Sequence, residues 1–164
     1  MVFVEGVDGS GKTILCEKLN DEGFTTIRVP RNVGDARDIY NLFKSYRGDE
    51  VFIFDRSFIS ELVYRLHDKR PCTINMSLSD MLNVLQGSVI VHCVSDTSFA
   101  DSIARGEDNI TNEEEHDEIK FMYETVMDMF SGFEGVTIFE YDWKTHNYHD
   151  LIKGILQERD VYAV

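Results

Sequence analysis

Residues 5–13 read Glu-Gly-Val-Asp-Gly-Ser-Gly-Lys-Thr, placed between the apolar run Met1–Val4 and a segment of helical period that begins at Ile14. Gly6, Gly9 and Gly11 leave this loop with few side chains to obstruct its own amides. A strand that runs into such a loop and then into a helix is the opening of a crossover connection. The chain leaves the carboxyl edge of a sheet and returns along a helix to start a parallel neighbour. This one stretch therefore asks for a parallel sheet with helices on its faces.

The rest of the chain agrees. Runs rich in β-branched and aromatic residues recur at Val2–Glu5, Thr25–Val29, Val51–Phe54, Ser88–Val94 and Val136–Tyr141, with segments of helical period between them. Lys12–Leu19 places Ile14, Leu15 and Leu19 on one face. Ser77–Gln86 opens with Ser-x-x-Asp, an N-cap signature, and sets Met81, Leu82 and Leu85 at helical spacing. In Glu113–Phe130 the residues Met122, Tyr123, Val126 and Phe130 follow Ile119 at offsets of 3, 4, 7 and 11, and Asn112 with Glu115 can cap the start. A last helix is expected over His149–Glu158. With 164 residues, two prolines and no repeat or linker, the expectation is a single three-layer α/β domain built on a five-stranded parallel sheet.

Gly6-Val7-Asp8-Gly9-Ser10-Gly11-Lys12-Thr13 matches the phosphate-loop pattern G-x-x-x-x-G-K-[ST] in full. Its backbone N–H groups can converge on phosphate oxygens, and the helix that follows adds the positive end of its dipole. Lys12 can reach the β- and γ-phosphates, and the Thr13 hydroxyl can join the shell of Mg²⁺. A nucleoside triphosphate with Mg²⁺ is the expected ligand. No Asn-Lys-x-Asp segment for guanine occurs, and ATP is taken as the donor.

A net charge of −14 repels nucleic-acid backbones and anionic membranes, so small-molecule partners are expected and nucleic acid is not. Cys16, Cys72 and Cys93 show no metal or disulfide spacing and are read as reduced buried thiols. No apolar stretch approaches membrane length and the start carries no leader-like pattern, which points to the cytoplasm.

A second motif, Val51-Phe-Ile-Phe-Asp-Arg-Ser-Phe-Ile-Ser-Glu-Leu-Val-Tyr-Arg65, delivers Asp55 to the end of a buried strand with Arg56 beside it. Asp55 can hold Mg²⁺ or act as a base, and Arg56 can hold an anion by a bidentate contact. The alternative is a strand-ending pair whose Asp55 caps the next helix. The acidic run Glu113–Glu118 reads as a solvated helix face with favourable charges in its first turn, and no histidine is given a role.

Asp55–Tyr64 resembles the D-R-[YS]-x-x-S-x-x-x-Y segment of the thymidylate kinase family, and the glycine loop is similar to that family's E-G-x-D-G-x-G-K-[ST] variant. The stretch from Ala104 to Glu124 resembles, more loosely, its LID, placed here at about 105–112. The resemblance implies a three-layer P-loop kinase fold and Mg²⁺-dependent transfer of the ATP γ-phosphoryl group to a deoxynucleoside monophosphate, dTMP or a related pyrimidine. It assigns the donor phosphates to Gly6, Gly9, Ser10, Gly11, Lys12 and Thr13, with Thr13 and Asp55 at the metal. Asp8, Arg56, Ser60 and Tyr64 would line the acceptor, with Tyr64 against the 2′ position. Lys12, Arg56, Arg105 and Asp8 would serve the chemistry, Arg105 because this P-loop carries no arginine of its own. A homodimer is common in the family.

The stretch from Asn32 to Gly48 is shorter than the family's base-recognition segment. Arg31 or Arg37 is the candidate to replace its base contact, and Tyr40 or Phe43 to stack on the base. Asp55-Arg56-Ser57 also resembles the acidic-Arg-Ser of deoxyribonucleoside kinases, which phosphorylate a 5′-hydroxyl. A kinase acting on a modified base in DNA and a non-catalytic nucleotide-binding module are further alternatives. Residues 69–76 receive no role.

Overall fold

The computed structural model describes residues 1–29, 36–46, 51–69, 77–94, 99–104 and 112–162, with side chains omitted at 36–40, 101–102 and 159–162. The strands are β1 (Val2–Glu5), β2 (Thr25–Arg28), β3 (Phe52–Asp55), β4 (Ser88–Cys93) and β5 (Val136–Tyr141). The helices are α1 (Lys12–Asp21), α2 (Ala36–Ser45), α3 (Phe58–His67), α4 (Leu78–Leu85), α5 (Phe99–Ala104), α6 (Glu113–Ser131) and α7 (Tyr148–Tyr162). All pairings are parallel and the strand order is β2-β3-β1-β4-β5, so β1 lies at the centre of the sheet.

Side chains alternate across a strand, and here the alternation sorts two cores. Phe3, Phe54 and Ile90 face the side covered by α2, α3, α4 and α6, where they meet Phe43, Phe58, Val84, Tyr123 and Phe130. Val2, Val4, Ile53, Val89 and Val91 face the side covered by α1 and α7 and meet Leu15, Leu19, Leu151 and Ile155. β1 and β4 are buried on both faces along their whole length, as central parallel strands must be.

Several expectations change. The buried stripe of α1 is Leu15, Cys16 and Leu19, while Ile14 is 39% exposed. The short segment after β2 forms a ten-residue helix, α2. Its Phe43 is fully buried, edge-on to Phe3 and Phe54, and is therefore core and no base platform. The helix after β3 is capped by Ser57, whose hydroxyl accepts from Ile59 N–H, and not by Asp55. The caps at Ser77, with its reciprocal Asp80 contact, and at Asn112, which accepts from Glu115 N–H, form as the sequence indicates.

Candidate nucleotide site

The glycine loop leaves the carboxyl end of β1 and ends at α1, at the middle of the sheet's carboxyl edge, where open α/β sheets bind ligands. Gly6 has φ +141°, and a Cβ there would stand 2.5 Å from the Cys93 carbonyl oxygen. The loop thus closes against the end of β4, which only glycine permits. Ser10 is buried and its hydroxyl has no hydrogen-bond partner, an orphaned donor within the loop. An anion held by the loop would satisfy it.

Lys12 is buried at the first position of α1, and its ammonium donates to the Val7 carbonyl at 2.6 Å and lies 3.9 Å from Asp8. Burial lowers its pKa, and the neighbouring Arg56 pushes the same way while Asp8 opposes both. Thr13 is exposed beside it.

Alternation at the end of β3 separates the next two residues. Asp55 follows Ile53 to the α1 side, where it is buried, lies within the fields of Lys12, Cys16 and Cys93, and is 3.9 Å from Arg28. The Thr13 hydroxyl and Asp55 carboxylate are hard oxygen donors on the α1 side of the loop, a set that suits Mg²⁺. That ion takes one or two protein oxygens and fills its shell with water and phosphate. Among the described residues no cluster of three or more His, Cys, Asp or Glu side chains could hold a metal alone.

Arg56 follows Phe54 to the opposite side. It adopts φ +73°, unusual for a residue with a Cβ, and its N–H is held by the Val4 carbonyl at 3.0 Å. Its guanidinium pairs with the Asp8 carboxylate and lies 5.6 Å from the Tyr64 ring centroid. Burial, the largest influence, works against its charge, but Asp8 together with Tyr123 and Tyr64 outweighs it and the pKa rises. The Tyr64 hydroxyl feels both Asp8 and Arg56 without an aligned hydrogen bond, and burial raises it to about 12.

The structure thus brings together Gly6, Asp8, Gly9, Ser10, Gly11, Lys12, Arg56, Ser60 and Tyr64, with Asp55 and Thr13 on the α1 side. Arg31, Arg105 and the LID apart from Asn112 lie outside the described residues, as do Cys72 and residues 70–76. Arg37 and Tyr40 are described by backbone alone.

Three residues of this neighbourhood had no assigned role. Glu5, the last residue of β1, is fully buried and accepts hydrogen bonds from the Ser57 and Ser60 hydroxyls. Burial raises its pKa despite those donors. Tyr123 of α6 is fully buried with its hydroxyl 2.8 Å from that of Ser60. His116, read as part of a solvated face, is buried, with Nε2 3.3 Å from the Asp8 carbonyl oxygen. Glu113, Glu114, Asp117 and Glu118 are exposed as expected. A carboxylate closing an otherwise wholly apolar strand, Val2-Phe3-Val4-Glu5, was the signal that could have pointed to Glu5.

A glycine loop leaving the central strand of a five-stranded parallel sheet, followed by the strand that ends in Asp55, defines an α/β P-loop kinase fold. Solved structures share it along almost the full chain. The YorR protein from Bacillus subtilis, in complex with phosphorylated GDP, is 19% identical, with a TM-score of 0.69 over 98% of this chain and 95% of that one. Deoxyadenosine kinase from M. mycoides, with dCMP and dCDP bound, is 13% identical, with a TM-score of 0.59 over 98% of each chain. Thymidylate kinase from Candida albicans is 14% identical, with a TM-score of 0.55 over 98% and 90%. No protein-family model and no curated protein sequence matches the chain. Likeness at such identities carries the fold.

Proposed function

We propose that the protein transfers the γ-phosphoryl group of ATP to a deoxynucleoside monophosphate, with dTMP or a related pyrimidine nucleotide as the first candidate acceptor. The observation that carries this reading is the pairing of Arg56 with Asp8 on one side of the sheet's edge, while Lys12 and Asp55 stand within each other's field at the loop and its other side. One side suits the triphosphate and the other a second anion. The neighbours of the same fold include kinases of deoxynucleosides and nucleotides, which supports a phosphotransferase.

In this reading an acceptor phosphate oxygen attacks the γ-phosphorus as the bond to the β-bridging oxygen breaks, giving a diphosphate and ADP. The loop amides and Lys12 hold the donor, and Arg56 exchanges part of its contact with Asp8 for the acceptor's phosphate. Bound Mg²⁺ supplies charge neutralisation on the donor's phosphates, with Thr13 and Asp55 as its protein ligands. Arg105 adds positive charge at the transferring group, and Tyr64 fills the space a 2′-hydroxyl would need. No protein nucleophile takes part, because positioning and electrostatics account for this reaction.

A second reading is a deoxyribonucleoside kinase, which the likeness to deoxyadenosine kinase favours. It needs a base for the 5′-hydroxyl near the end of β2. Residues 30–35, which follow the strand, lie outside the described residues; what supports a phosphorylated acceptor is the positive charge at the strand's end, where Arg28 lies 3.9 Å from Asp55.

ATP consumption with Mg²⁺ across paired deoxynucleosides and their monophosphates tests this. Turnover confined to monophosphates is expected. Turnover with nucleosides alone would transfer the protein to the second reading, and silence across the panel with ATP still bound would remove both.

A further inference from the structure

Three ties join the end of β1 to the turn between β3 and α3. The Val4 carbonyl accepts from Arg56 N–H at 3.0 Å. One oxygen of Glu5 accepts from the Ser57 hydroxyl, and the other accepts from the Ser60 hydroxyl at 2.5 Å. Ser57 is at once the residue after Arg56 and the N-cap of α3, its oxygen engaged by Ile59 N–H. Because the one proton of Ser60 goes to Glu5, the Tyr123 hydroxyl must donate to Ser60. The chain Tyr123–Ser60–Glu5–Ser57 is thereby satisfied at every oxygen, inside a core where an unmatched polar group is costly.

Glu5 also immediately precedes Gly6, so it borders the donor loop in sequence and the Arg56 turn in space. The positive φ of Arg56 is the conformation that aims its guanidinium back at Asp8, and an arginine does not keep it without restraint. We propose that Glu5 is a positioning residue for Arg56. By gripping Ser57 and Ser60 it fixes the left-handed turn and sets the distance between the acceptor arginine and the phosphate loop. Its use in catalysis rests on the function proposed above; its hold on Arg56 does not.

Glu5→Gln keeps the size of the side chain but removes its charge and turns one acceptor oxygen into an N–H donor, so one of the two serines must reverse its hydrogen bond and the grip on the turn weakens. Two readouts test the proposal. The first is NMR of the Arg56 guanidinium, whose N–H protons the Asp8 pairing should protect from exchange. In Glu5→Gln their exchange should accelerate about tenfold or more, with a smaller change of the same sign in Tyr123→Phe, a milder lesion should Glu5→Gln fail to fold. The second is a double-mutant cycle on kcat/KM for the acceptor. Glu5→Gln should lower it about 10–100-fold in the wild-type background, as a small misplacement of a positioning group does. It should change little once Arg56 is already Ala, while ATP affinity stays near wild type in both. Equal losses in the two backgrounds, or unaltered Arg56 exchange in a folded Glu5→Gln or Tyr123→Phe protein, would overturn the assignment. A wild-type protein without turnover would instead remove the proposed function, and the exchange measurement would still decide what Glu5 does.

Discussion

His92 stands beside Glu5 in the register of β1 and β4 and stacks on Tyr123 with ring centroids 6.1 Å apart. Burial, with Lys12 and Lys120 adding to it, lowers its pKa from 6.5 to about 4. The folded protein therefore refuses a proton that the unfolded chain accepts. Its contribution to stability is complete above pH 6.5 and is lost as the pH falls toward about 4. Glu5 has the opposite sign, because a carboxyl raised by burial is relieved when it is protonated. The clean observable is the difference between wild type and His92→Phe in denaturant unfolding. Wild type should lose about 3 kcal/mol relative to the variant across that window. Parallel pH curves would contradict it. Neither this histidine nor His116 could be read from the chain, and Glu5 offered only its place at the end of an apolar strand, because the contacts of each lie with partners remote in sequence. Glu5 meets serines 52 and 55 positions away, and His116 meets a carbonyl 108 positions away. The loop residues and Arg56 were legible because their chemistry is written in consecutive positions.

At the scale of elements, the loop and α1 act as one unit. Gly11 caps α1 at φ +92°, and a Cβ there would fall 2.6 Å from Trp143 Cδ1, in the turn between β5 and α7. Gly11→Ala therefore meets both a left-handed backbone, which costs about 1–2 kcal/mol, and an aromatic ring that must move. Trp143 is the only tryptophan in the chain, so its emission reports this contact. In Gly11→Ala the emission of the ligand-free protein should shift, and titration with ATP should show affinity reduced about tenfold or more. Wild-type emission and wild-type affinity together would contradict the packing. The strands were legible to within about one residue, since buried parallel strands are continuous apolar runs. α2 was overlooked although Ile39, Leu42, Phe43 and Tyr46 follow one another at the offsets of a helix face, because the brevity of the segment outweighed its pattern. Ile14 misled for a related reason: propensity puts it in the helix, but only the packing of α1 on β1 and β3 decides which residues form the stripe.

For the whole molecule, the crossover pattern made a parallel sheet with helices on both faces readable, whereas the order β2-β3-β1-β4-β5 is set by packing that no single segment records. That order surrounds β1 with β3 and β4 and so gathers the loop, Asp55, Arg56 and His92 at one edge. The net charge of −14 belongs mostly to surfaces such as the outer face of α6, while Lys12 and Arg56 are withdrawn into the site. An acidic exterior, with Lys12 and Arg56 held at the loop, favours a small anion over a polyanion. Transfer between two small molecules, as proposed above, can be followed through the label of ATP carrying ³²P at the γ-position, with the preferred monophosphate as acceptor. Label appearing in a nucleoside diphosphate, matched mole for mole by ADP and abolished in Lys12→Ala, is the expected result. Label released as inorganic phosphate at a rate indifferent to the acceptor would mean that the site hydrolyses or merely holds its nucleotide, and would contradict the assignment of Arg56 to an acceptor.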